Sequence, residues 1–155
     1  MKRLWLGALW CLSGCGETRP ECGPSTGVVM RVSDGDTFVL ESGEKIRLLM
    51  IDSPEVGSSA ECFGNEAAVH TKALLTGREV SLQYDVSCTD RFDRLLAYVY
   101  LDGYEVNTRL LEEGFACVFH LSPNGDDRLQ EFEQLEDSAR ARANGLWGAC
   151  ARQPC

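Results

Sequence analysis

Two short segments place carboxylates where apolar, strand-like runs end. The first carries Asp34 and Asp36 on a tight turn, and the second ends a strand with Asp52, which a proline turn joins to Glu55. Oxygen ligands of this kind suit a hard cation such as calcium better than zinc. Arg47, in the second segment, adds a forked guanidinium that can pair with an anion. If the two segments meet in space, the pattern indicates chemistry on a phosphodiester.

The elements around these segments must bring them together. Alternating and β-branched residues predict strands over 26–32, 37–40 and 45–51, joined by turns at 34–35 and 41–44. Further along we predict a helix over 66–75, strands over 79–84 and 94–101, a short helix capped by Asn107, an extended run over 115–121 and a last helix over 127–143. This order predicts an α+β fold, a five-stranded OB-type β-barrel with about three packed helices.

The N-terminus has the pattern of an export signal. Lys2 and Arg3 precede a short apolar run, and Leu12-Ser13-Gly14-Cys15 resembles the lipobox of bacterial lipoproteins. The resemblance implies removal of residues 1–14, a lipid on Cys15 and a tether over 15–25. It places the protein outside the cytoplasm, anchored to the bacterial cell envelope at the outer membrane or facing the periplasm. An ordinary secretory signal is the alternative.

Charge argues against a generally basic nucleic-acid-binding surface. Cleavage before Cys15 removes Lys2 and Arg3 from the 15 basic residues and none of the 24 acidic ones, so the net charge moves from −9 to −11. Polyanions are repelled by such a chain on average. Any binding of nucleic acid must therefore rely on local basic groups and on a bound cation.

The cysteines also indicate export. Six remain after Cys15, none in a C-x-x-C spacing, so disulfides in an oxidising compartment are a better interpretation than a zinc cluster. We expect each bond to join segments that the predicted fold brings together. The predicted pairs are Cys62 with Cys88, Cys117 with Cys150, and Cys22 with Cys155, the last of which ties down a tail over 150–155.

Four blocks in register resemble the staphylococcal nuclease (thermonuclease) family. They are Asp34-Gly35-Asp36-Thr37, the run from Arg47 to Glu55, Arg94 with Leu96-Ala97-Tyr98-Val99-Tyr100, and Gly145-Leu146-Trp147. The resemblance implies a nuclease domain over residues 26–149. It also implies the family's metal site: Asp36 and Asp52 as calcium ligands, the Ser53 backbone carbonyl as a third, and Asp34 in the outer shell.

The same resemblance assigns the catalytic groups. Glu55 corresponds to the carboxylate that orients or deprotonates the attacking water, and Arg47 and Arg94 to the arginines that contact the scissile phosphate. Arg91 and Phe92 correspond to substrate-binding positions. Losing either arginine is expected to reduce the rate more than the stability of the fold.

One departure bears on Arg94. Asp93 stands where the family has glycine, and it is expected to pair with Arg94 or to weaken its grip on phosphate. The implied function is a monomeric, calcium-dependent endonuclease that hydrolyses DNA and RNA with little sequence specificity and leaves 3′-phosphates. The alternative is a catalytically inactive OB-fold module that binds nucleic acid on the cell envelope, although such a module has no need to retain the full set of metal and phosphate residues.

Overall fold

The structure is a computed structural model that describes residues 22–154. Its strands are β1 Thr26–Val32, β2 Thr37–Leu40, β3 Lys45–Leu48, β4 Ile51–Asp52, β5 Glu79–Thr89, β6 Leu95–Leu101, β7 Tyr104–Glu105 and β8 Cys117–Val118. Its α-helices are α1 Gly64–Leu75, α2 Val106–Glu112, α3 Leu129–Ala141 and the short α4 Leu146–Ala149. The predicted signal sequence, the predicted lipidation site at Cys15 and most of the predicted tether lie outside the described residues.

Five strands close into a barrel, as predicted. The sheet runs β3-β2-β1-β5-β6, and a parallel pairing of β3 with β6 joins its two edges. In this register Thr37 lies opposite Arg47, and Arg47 lies opposite Leu96. The pairing brings the start of β2 beside Arg47 in β3, and Arg94, just before β6, reaches the same place through its contact with Thr37.

The barrel interior and helices α2 and α3 share one apolar core. Tyr98, Phe38 and Phe132 are its largest fully buried side chains. Helix α1 contacts β1, and its Leu75 is buried in the same core. The predicted α+β architecture with three substantial helices is confirmed. No helix within residues 22–154 is long and apolar enough to cross a membrane.

Two local predictions were wrong in an informative way. Strand β3 ends at Leu48 instead of continuing to residue 51, because Met50 takes a left-handed conformation (φ 65°) and turns the chain into β4. Asn107 lies inside α2 and does not cap it. Its carboxamide accepts the Val99 N–H (2.9 Å) and donates to the Leu49 carbonyl (2.9 Å), so it joins β6 to the segment after β3.

The three predicted disulfide pairs were also wrong. The structure pairs Cys22 with Cys88 and Cys62 with Cys150, which excludes Cys62–Cys88, Cys117–Cys150 and Cys22–Cys155. Strand β5 runs to Thr89 instead of ending at residue 84, so Cys88 reaches the N-terminal segment. The short helix α4 brings Cys150 to the loop before α1. Cys117 is disulfide-bonded as well.

Candidate active site

The turn between β1 and β2 is held close to the segment that follows β4. Asp34 Oδ1 accepts the backbone N–H of Asp36 at 3.1 Å, which closes the turn. Gly35 is required there, since a Cβ at that position would lie 2.5 Å from the Ser53 Cβ. The Thr71 hydroxyl donates to the Gly35 carbonyl at 2.8 Å and ties the turn to α1. The two sequence segments therefore meet, as their chemistry requires.

Asp36 is a buried carboxylate whose oxygens both have partners. Its side chain is 6 % exposed. Oδ2 accepts the Ser53 backbone N–H at 2.7 Å, while Oδ1 accepts the Thr37 hydroxyl at 2.9 Å and lies 3.2 Å from Arg47 Nε. A buried charge of this kind is tolerated only with such compensation.

Arg47 links the two acidic segments. Its Nη2 lies 2.6 Å from Asp52 Oδ1, and Nη1 donates to the carbonyls of Leu48 (2.8 Å) and Ile51 (2.6 Å). The turn at Met50 makes this possible, because it brings both carbonyls to the same side of the chain. Together with its contact to Asp36, these bonds hold the guanidinium rigidly between the predicted metal ligands.

Negative charge accumulates at this end of the barrel. Burial and the neighbouring Asp36 charge raise the pKa of Asp34 to about 6. Burial also raises the pKa of Asp52, with Asp36 and Glu55 adding to the effect and Arg47 opposing it. A nearby cation would stabilise the charged forms of these carboxylates and lower their pKa values.

The donor set fits a hard cation. Asp34, Asp36 and Asp52 supply carboxylate oxygens, and the Asp52 side chain is 53 % exposed at the edge of the cluster. Within residues 22–154, no three His, Cys, Asp or Glu side chains are grouped closely enough to hold a metal alone. A calcium ion here would therefore also need the Ser53 carbonyl and water oxygens, a mixed oxygen shell of the kind that calcium accepts.

Glu55 lies on the loop between β4 and α1 with its side chain exposed. Its backbone is fixed: the N–H donates to Glu61 Oε2 (2.9 Å), and the carbonyl accepts the Glu61 N–H (2.9 Å). Gly64 packs against that carbonyl so closely that a Cβ there would lie 2.1 Å from the oxygen. The Cys62–Cys150 bond ties the same loop to α4. The structure thus fixes the Glu55 main chain and leaves its carboxylate in solvent.

Arg94 lies on the turn before β6 and faces the cluster formed by Asp36, Arg47 and Asp52. Its Nε pairs with Asp90 Oδ2 at 2.7 Å, and Nη1 donates to Thr37 Oγ1 at 3.3 Å. The carboxylate that pairs with Arg94 is therefore that of Asp90 and not that of Asp93. The sequence did not indicate Asp90, because an i,i+4 spacing predicts an ion pair only on a helix, and this segment is a turn between β5 and β6.

A groove of about 610 Å³ extends from this cluster across the barrel end. Arg47, Asp52 and Arg94 line it, together with Arg91 and Phe92. The chain from Phe119 to Asn124, apart from His120, also contributes to the lining. Three large apolar side chains at the groove are substantially exposed: Phe92 at 60 %, Phe119 at 44 % and Leu121 at 65 %. Asp34, Asp36, Ser53 and Glu55 lie beside the groove without lining it.

The chain is similar in sequence to known nucleases. A family model described as "Staphylococcal nuclease homologue" matches residues 45–149. A thermonuclease of Staphylococcus intermedius is 33 % identical over 126 residues, which cover 77 % of this chain and 74 % of that protein. A thermonuclease of Staphylococcus hyicus is 34 % identical over 125 residues, covering 77 % and 73 % respectively. Endonuclease YncB of Bacillus subtilis is 33 % identical over 124 residues, covering 76 % of this chain and 59 % of that protein.

Proposed function

The chain belongs to the staphylococcal nuclease family, and from this premise we propose that it is a calcium-dependent endonuclease. It hydrolyses phosphodiester bonds of DNA and RNA with little sequence specificity and leaves 3′-phosphate ends. The observation that carries the proposal is the network at the barrel end, in which Arg47 bridges Asp36 and Asp52 while Arg94 faces them across Thr37. The thermonuclease and endonuclease names of the relatives support the same reaction class.

The metal would be held by Asp36, Asp52 and the Ser53 carbonyl, with Asp34 in the outer shell. When bound, a calcium ion at these residues supplies positive charge next to the phosphate and offsets the charge that develops during attack. The raised pKa values of Asp34 and Asp52 support this assignment, because burial and neighbouring negative charge disfavour the charged carboxylates and a bound cation would stabilise them.

The side chains divide the reaction between them. Water attacks phosphorus, the bond from phosphorus to the 5′-oxygen breaks, and the 3′-oxygen stays on the phosphate. Glu55 accepts the proton of the attacking water, an effect of roughly 10² to 10⁴ in rate for a positioned general base. Arg47 and Arg94 donate hydrogen bonds to the phosphate oxygens as negative charge builds on them.

Substrate binding relies on local groups because the chain is acidic overall. Arg91 and Phe92 lie on the groove wall next to Arg94, and the Arg91 guanidinium carbon is 4.8 Å from the centre of the Phe92 ring. An exposed aromatic ring offers a face on which any base can stack, whatever its identity. This supports binding of single strands with little sequence preference.

We further propose that the protein acts outside the cytoplasm as a monomer anchored by a lipid on Cys15. The disulfides Cys22–Cys88 and Cys62–Cys150 support the choice of compartment, since such bonds persist where the environment is oxidising. The lipobox at residues 12–15 supports the anchor.

Metal dependence provides the test. The purified, oxidised protein is given end-labelled single-stranded DNA with calcium or with excess chelator, beside the variants Asp52→Asn and Asp102→Asn. Both variants lose one carboxylate, but Asp102 pairs with Arg78 at the opposite end of β6. We expect calcium-dependent cutting with 3′-phosphate ends, abolished in Asp52→Asn and retained in Asp102→Asn. Binding without cutting by the folded, oxidised protein would instead favour the inactive OB-fold module.

A further inference from the structure

We infer that Asp90 is a positioning residue for the proposed nuclease reaction, holding the Arg94 guanidinium in the orientation that the phosphate requires. The inference rests on the proposed function, since the role of Arg94 toward phosphate belongs to it. Asp90 lines the groove and directly follows the last residue of β5, Thr89.

Asp90 organises the whole turn that carries Arg94. Its Oδ1 accepts the backbone N–H groups of Phe92 (2.8 Å) and Arg94 (3.1 Å), and its own N–H donates to the Arg94 carbonyl at 3.1 Å. Its Oδ2 accepts the Arg94 Nε–H at 2.7 Å. One side chain therefore fixes both the main chain and the guanidinium of Arg94.

The orientation that results is useful for catalysis. Asp90 engages the Nε edge of the guanidinium, while Nη1 reaches Thr37 Oγ1 at 3.3 Å. The Thr37 hydroxyl in turn donates to Asp36 Oδ1 at 2.9 Å. The Nη edge of Arg94 is thus directed toward the predicted metal ligands, where a phosphate would lie, without being occupied by a carboxylate.

An incidental surface ion pair would not have these features. Such pairs are exposed and contribute little, whereas the Arg94 and Asp90 side chains here are 26 % and 19 % exposed. Partial burial alone would raise the pKa of Asp90, but the hydrogen bonds from Arg94 and Phe92 lower it below its usual value. Without Asp90, a long arginine side chain on a turn regains rotamer freedom, and a misplaced catalytic group is costly in rate.

The test compares two neighbouring carboxylates of the same turn. Asp90→Asn keeps an oxygen that can accept the two backbone N–H bonds but loses the charge that holds Arg94. Asp93→Asn makes the same charge change at an exposed position whose carboxylate is not the partner of Arg94. We expect kcat for DNA cleavage to fall about 10- to 100-fold in Asp90→Asn with a smaller change in KM. Asp93→Asn should stay within about twofold of wild type, and both variants should melt near the wild-type temperature.

A double-mutant cycle separates positioning from a general structural role. In an Arg94→Ala background, Asp90→Asn should have almost no further effect on the rate, because the group that it positions is gone. Equal rates for Asp90→Asn and Asp93→Asn, or an undiminished effect of Asp90→Asn in the Arg94→Ala background, would overturn the inference.

A measurement without turnover tests the same contact. The Arg94 Nε–H should be protected from hydrogen exchange in the wild-type protein and lose that protection in Asp90→Asn, as followed by nuclear magnetic resonance. Rapid exchange in wild type would refute the positioning role even if the protein failed to cut DNA. Absence of cutting with a protected Nε–H would count against the proposed function alone.

Discussion

Arg47 and Arg94 carry the same guanidinium to the same site, but the protein holds them in opposite ways. Arg47 is 7 % exposed and bonds to two carboxylates and two backbone carbonyls within the barrel end. Arg94 lies on a turn, where its side chain donates to Asp90 at 2.7 Å and to Thr37 at 3.3 Å. One arginine is part of the fold, whereas the other is positioned on it.

The difference changes one expectation from the sequence. Both arginines were expected to affect the rate more than the stability. For Arg47 the contacts argue otherwise, since its loss would leave the Asp36 charge buried without a cation.

Arg47→Ala should lower the free energy of unfolding by about 3–5 kcal/mol, the usual cost of removing one partner from a buried ion pair. The carbonyls of Leu48 and Ile51 would also lose a donor. Urea denaturation of the oxidised protein measures the change, with Arg94→Ala as the matched arginine deletion. Equal stability of the two variants would remove the distinction between the two arginines.

The double variant Cys62→Ser/Cys150→Ser should lower the free energy of unfolding by about 2–5 kcal/mol, since the bond closes a loop with a sequence separation of 88. It should also slow DNA cleavage under conditions where the protein stays folded, because the bond ties down the loop that carries Glu55. The Arg47 network contains no cysteine and should persist. Cleavage at the wild-type rate by the folded variant would show that the Cys62–Cys150 bond is not needed to position Glu55.

Arg94→Ala should lower the free energy of unfolding by about 1 kcal/mol, less than Arg47→Ala, because Asp90 keeps its bonds to the backbone N–H groups of residues 92 and 94 in the variant. Its cleavage rate should nevertheless fall about 10²- to 10³-fold, the range seen when one donor to a developing oxyanion is removed. Denaturation and single-turnover cleavage on the same preparation give both numbers. A loss of stability as large as that of Arg47→Ala would contradict the surface placement of this residue.

Asp93→Gly should stabilise the protein slightly, by up to about 1 kcal/mol, because Asp93 has φ 57° and glycine adopts this conformation without strain. Asp93→Ala is the control, since it removes the same carboxylate but keeps the Cβ. Thermal unfolding of the two variants separates the backbone effect from the charge effect. If both variants melt at the same temperature, backbone strain at residue 93 is not the cause.

The sequence predicted the barrel well because its signals are local. Alternation, β-branched residues and glycine turns mark the strands, and the spaced blocks of the family assign residues to the barrel end. The same blocks single out Asp36, Arg47 and Asp52, but they do not predict that Arg47 pairs with both carboxylates. The metal and catalytic roles assigned to them remain predictions.

Other features depend on contacts that no local pattern reports. Nothing around Met50 predicts a left-handed residue, because a methionine has no preference for that conformation. The disulfide pairs depended on where β5 ends, and a polar strand end has no clear sequence boundary. The partner of Arg94 is set by the turn geometry: Asp93 is its neighbour in sequence, but the carboxylate that reaches its guanidinium is that of Asp90, four residues before it.

The most direct test of the central claim is single-turnover cleavage of single-stranded DNA in calcium by wild type, Glu55→Gln and Glu133→Gln. Each variant loses one exposed carboxylate, and Glu133 lies on α3. The account predicts cutting by wild type, a fall of roughly 10² to 10⁴ in Glu55→Gln with unchanged unfolding, and no change in Glu133→Gln. Equal rates for wild type and Glu55→Gln, or no cutting by the oxidised and folded wild-type protein, would contradict it.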